Sequence, residues 1–92
     1  MTNAKVVRYH GDEGQTTGIL FGAGRKYLQL ILMDGRGIRF ARKVEKGEER
    51  YMTEAEYKGK AYPVKRAARH LLKAAKKFGG NTNAKKALRE VA

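Results

Sequence analysis

Nine cationic side chains crowd the last thirty residues of the chain: Lys65, Arg66, Arg69, Lys73, Lys76, Lys77, Lys85, Lys86 and Arg89. Glu90 is the one acid in the same stretch. Such a set suits phosphate contact, because each cation that meets a phosphate releases a condensed counterion and needs to read no base. Solvated faces usually mix signs, and this one does not. His70 falls inside the run, where it either assists phosphate contact or faces solvent. A second basic set, Arg25, Lys26, Arg36 and Arg39, continued by Arg42 and Lys43, lies in the front half beside Tyr27. Basic groups next to exposed aromatics suit single-stranded or structured RNA, through stacking plus charge. The tyrosines Tyr9, Tyr27, Tyr51, Tyr57 and Tyr62 either serve that purpose or pack at a sheet edge with wet hydroxyls.

Bond-making chemistry finds few candidates. The chain has no serine and no cysteine, so it offers neither a Ser nor a Cys nucleophile, no disulfide and no thiolate metal site. His10 stands near Asp12 and Glu13, but a metal site needs further ligands. Gly22-Ala23-Gly24-Arg25-Lys26 has neither the spacing of a phosphate loop nor the Ser/Thr that follows its lysine, and it joins two strands. The expectation is a protein that is not an enzyme and uses no cofactor or metal.

The elements that must position these residues follow from charge and apolar periodicity. The chain has 92 residues, enough for one structural unit, and a formal net charge of +12. That charge is uneven: +5 over residues 1–44, −1 over residues 45–62 and +8 over residues 63–92. An excess of this size repels itself in a compact molecule, and a polyanionic partner relieves the repulsion. Met1 to Tyr9 has no signal-peptide pattern. Tyr27 to Met33, the most apolar stretch, falls well short of a membrane span of about 20 residues. The expected location is a cytoplasm or nucleoid.

The front half reads as strands: Lys5 to Tyr9, Thr16 to Phe21, Tyr27 to Met33 and Gly37 to Val44. Thr17, Ile19 and Phe21 share one face, Leu28, Leu30 and Leu32 point to a core, and Ile38, Phe40 and Val44 are further core candidates. Arg42 interrupts the alternation, which implies a bulge or a half-open face. Asp34-Gly35 is a hairpin signal. Residues 50–62 read as a strand near Tyr51, a turn and a fifth strand near Tyr57 to Tyr62, or alternatively as a short helical turn capped by Thr53 and Glu56. The tail, residues 63–92, reads as helix from Pro63, with Val64, Ala67, Ala68, Leu71, Ala74, Ala75 and Phe78 on one side. Gly79-Gly80 ends it and allows a hinge, and Asn81, Thr82 and Asn83 offer caps for a second helix, Ala84 to Val91. The order of this tail is expected to depend on its partner.

The strand–turn–strand rhythm of Thr17-Gly18-Ile19, Tyr27-Leu28-Gln29-Leu30 and Asp34 to Phe40 resembles a small SH3-like β-barrel of the Tudor, KOW or Sm kind. The resemblance covers about residues 5–62 and implies RNA, DNA or basic-peptide binding, with rings among Sm-like members. The C-terminal helical extension departs from the Sm pattern. Size and charge also resemble small ribosome-associated or bacteriophage proteins. The expected fold class is therefore α+β: a small antiparallel barrel of about five strands, residues 1–62, followed by one or two helices. The expected function is non-catalytic binding of DNA or RNA, through the nine tail cations with Arg25, Lys26, Arg36 and Arg39 as a second surface. The competing expectation is a protein-interaction module that docks its amphipathic helix on a partner or assembles with itself. The helix's mostly alanine apolar side gives little burial in lipid, so no membrane partner is expected.

Overall fold

In a computed structural model of the protein, residues 4–11, 14–22, 25–34, 37–41, 44–45, 47 and 52–92 are described. Alternating apolar residues organise the front half into antiparallel neighbours: β1 (Ala4–Gly11), β2 (Gly14–Phe21), β3 (Tyr27–Asp34) and β4 (Gly37–Phe40). The short β5 (Val44–Glu45) pairs with the start of β3, and β6 (Met52–Glu54) returns to lie beside β1. The strand order is β4-β3-β2-β1-β6. Two helices follow, α1 (Val64–Phe78) and α2 (Thr82–Val91), so the architecture is α+β as expected. The last strand of the sheet comes back to the first, as in a small barrel. Among the described residues, however, no pairing joins β6 to β4 or β5, and no closed barrel forms.

The register of β3 differs between its two partners in this part of the chain. Phe40 lies opposite Ile31, and Val44 lies opposite Leu28. Between these two pairs one strand advances four residues while its partner advances three. Arg42 and Lys43 themselves are outside the described residues.

Both faces of the sheet are buried. Val6, Ile19 and Ile31 lie in register across β1, β2 and β3, and they pack with Phe21 and Ile38 under the two helices. Val7, Leu20, Leu28, Leu30 and Leu32 form a second cluster on the opposite face, joined by Tyr9, Ala41 and Met52. A strand buried on both sides loses its alternation, which explains the apolar run Leu30-Ile31-Leu32-Met33 in the second half of β3.

The helical tail is part of this core rather than an appendage awaiting a partner. Ala67, Ala68 and Ala75 of α1 and Ala84 and Leu88 of α2 are buried against the first face. Pro63 is the N-cap of α1, one position earlier than its expected place inside the helix. The glycine pair after α1 is pinned rather than hinged. Ile38 N–H donates to the Gly79 carbonyl at 3.1 Å, and Asn81 N–H donates to the Ile38 carbonyl at 2.7 Å. Residues 79–81 therefore lie as a short parallel addition along β4. Asn81 also caps α2, its Oδ1 accepting from Ala84 N–H at 3.1 Å.

Residues 55–62 form a hairpin where the sequence predicts a fifth strand or extended piece near Tyr57 to Tyr62. β7 (Glu56–Tyr57) pairs with β8 (Lys60–Ala61) across a two-residue turn, Lys58-Gly59. Both turn residues have positive φ, 53° and 76°, as a type I′ turn requires. Thr53 and Glu56 are in strands, so they cap no helix, and Tyr51 is outside the described residues.

Candidate nucleic-acid interface

The 3.6-residue repeat sorts α1 into two sides. Val64, Ala67, Ala68, Leu71, Leu72, Ala74 and Ala75 are buried or half-buried. Lys65, Arg66, Arg69, Lys73, Lys76 and Lys77 are all exposed. Those six cations fall within an arc of about 120° and run about 18 Å along the helix axis. Among the described residues no carboxylate pairs with any of them, and Glu90 stands on α2. The basic last turn, Lys76 and Lys77, also complements the negative end of the helix dipole.

α2 extends this surface through two of its three cations. Lys85 and Arg89 meet Lys76 around a groove of about 300 Å³ whose floor is Leu72 and Ala75. Lys86 is exposed on α2 but does not line that groove. The structure thus brings together eight of the nine tail cations named from sequence: six along α1, and Lys85 and Arg89 beside Lys76.

The front-half set does not join them. Arg39 is exposed on β4, and its Nη1 donates to the Phe40 carbonyl at 3.4 Å. Its neighbours Ile38 and Phe40 face the helices, so Arg39 points to the other side of the sheet. Arg25 and Lys26 are exposed just ahead of β3, and Lys26 lies 5.9 Å from the ring centre of Tyr27. Arg39 stands opposite Leu32, six residues further along β3 than Lys26, or about 20 Å of strand. Arg36 lies outside the described residues.

One grouping was not read from the sequence. Tyr57, 43% exposed, has the Arg66 guanidinium carbon 4.9 Å and the Lys58 Nζ 5.4 Å from its ring centre. Tyr62 meets it edge-on at 6.1 Å. The β7–β8 turn brings this aromatic pair to the first turn of α1, at one end of the cationic arc. Next to it, Arg8, Thr17, Glu56, Tyr62 and His70 surround a cavity of about 280 Å³ over an apolar floor that includes Ile19 and Leu71. His70 belongs to both this cavity and the rim of the cationic face.

His10 is exposed within β1, opposite Gln15, while Asp12 and Glu13 are outside the described residues. Among the described residues no group of three or more His, Asp or Glu side chains is placed to hold a metal ion, and no helix is long and apolar enough to cross a membrane. The apolar side of α1 is packed in the core cluster with the sheet. Phe78, 56% exposed, is the large apolar side chain that α1 leaves to solvent. Comparison with known proteins finds no matching family model, no similar curated sequence and no similar solved structure.

Proposed function

We propose that this protein binds nucleic acid, DNA or RNA, without catalysis, holding phosphates on the exposed face of α1 and on Lys85 and Arg89. The supporting observation is the side-by-side exposure of six α1 cations with no carboxylate partner among the described residues. An uncompensated row of this kind costs self-repulsion in the free protein, and a polyanion removes that cost. The helix is packed on the sheet, so a bound polyanion meets cations on an already folded backbone. Arg25, Lys26 and Arg39 form separate, weaker contacts on other parts of the surface. Work on nucleic acid would be done in a bacterial cytoplasm or nucleoid.

The test is a fluorescence-anisotropy titration against double-stranded DNA, single-stranded DNA and RNA over a range of salt. Phosphate contacts from all eight of these cations predict that log K falls with log salt with a slope of about −6 to −7. From about 50 to 200 mM salt, affinity then drops about a thousandfold or more. Failure to bind any of the three at low salt removes the reading. Docking on a protein would instead show a weak salt effect and a loss on Phe78→Ser.

A further inference from the structure

Resting on that reading, we infer that the nucleic acid is held with at least one unpaired base, taken up at the hairpin end of α1 by Tyr57, Tyr62 and the adjoining cavity. Two independent observations carry this. The first is Tyr57, an exposed ring at the end of β7, with the guanidinium of Arg66 from the cationic row over it. A base that stacks on this ring displaces the Arg66 guanidinium from it, leaving Arg66 and Arg69, one helical turn apart, for the phosphates. The second is the cavity, which opens next to the same aromatic pair and has Tyr62 in its wall. About 280 Å³ is at the small end of ligand pockets and suits one planar ring system rather than a helix edge.

The chemistry of the cavity fits a base edge. Ile19 and Leu71 give an apolar floor, while Glu56 accepts hydrogen bonds and Arg8 and Thr17 donate them. Such mixed groups meet amino and carbonyl functions that a duplex keeps paired. A cationic helix alone would hold duplex and single strand alike; the aromatic pair and the cavity reward only a strand whose bases are free.

The experiment compares wild type, Tyr57→Ala and Tyr57→Trp against a mixed-sequence oligonucleotide of about 12 nucleotides, offered single-stranded and as a blunt duplex. Wild type should bind the single strand at least about tenfold tighter than the duplex at equal salt. Tyr57→Ala should lose about five- to a hundredfold on the single strand, with little change on the duplex and an unchanged salt slope. Circular dichroism and a urea midpoint verify that the exposed substitution leaves the fold intact. The chain has no tryptophan, so Tyr57→Trp installs a single reporter that keeps a stacking ring. Its emission should be quenched by the single strand and not by the duplex. Equal affinity for both forms, with Tyr57→Ala silent and the emission of the Tyr57→Trp variant unmoved, overturns the inference while leaving phosphate binding standing. Absence of all binding overturns both.

Discussion

Gly80 sits where any side chain would collide. A Cβ built there lies 2.5 Å from the Ile38 carbonyl oxygen and 2.6 Å from its amide nitrogen, and the residue has φ +148°. Gly80→Ala should therefore cost about 2–3 kcal/mol in urea unfolding, because the 79–81 segment must leave β4. Gly59→Ala is the control: φ is +76° and nothing lies within 4 Å, so only local strain, about 1 kcal/mol, is expected. Glycine as a helix stop was legible in the sequence. Its contact with β4 was not, because it depends on which strand forms the edge. The same limit hid the Tyr57–Arg66 pairing, since nine residues of chain separate two groups that the hairpin turn brings together.

The helices divide into a buried side that holds the fold and an exposed cationic side, and substitutions should respect that division. Leu88 is fully buried in α2, so Leu88→Ala should cost about 2–5 kcal/mol in the same denaturation experiment. Lys73→Gln, exposed on α1, should shift stability by no more than about 0.5 kcal/mol while weakening nucleic-acid binding. The two stripes of α1 were readable from spacing alone, as were most strand positions. The destination of the apolar stripe was not readable. An alanine-rich side gives a weak hydrophobic signal, yet small side chains let a helix lie close on a sheet, and Ala67, Ala68, Ala75 and Ala84 are buried in that way. Leu71, half-buried within the same cluster, therefore reports on stability and cannot serve as a clean probe of partner docking.

Taken whole, the molecule is a sheet with a core on each face, and the helical layer is indispensable to one of them. A fragment ending at Phe78 lacks Ala84, Leu88 and the 79–81 addition to β4, so it should lose its cooperative thermal transition in circular dichroism. Removing the tail is thus no test of its charge. Substituting its cations in the intact chain is. The most direct measurement is the salt dependence of single-stranded nucleic-acid affinity for wild type beside a variant carrying Lys65→Gln, Arg69→Gln, Lys73→Gln and Lys76→Gln. Each lost phosphate contact should flatten the slope of log K against log salt by about 0.7, so the variant's slope should be shallower by about 3, with far weaker binding at low salt and a urea midpoint no lower than that of wild type. A variant that keeps both the wild-type slope and the wild-type affinity would contradict phosphate binding by α1.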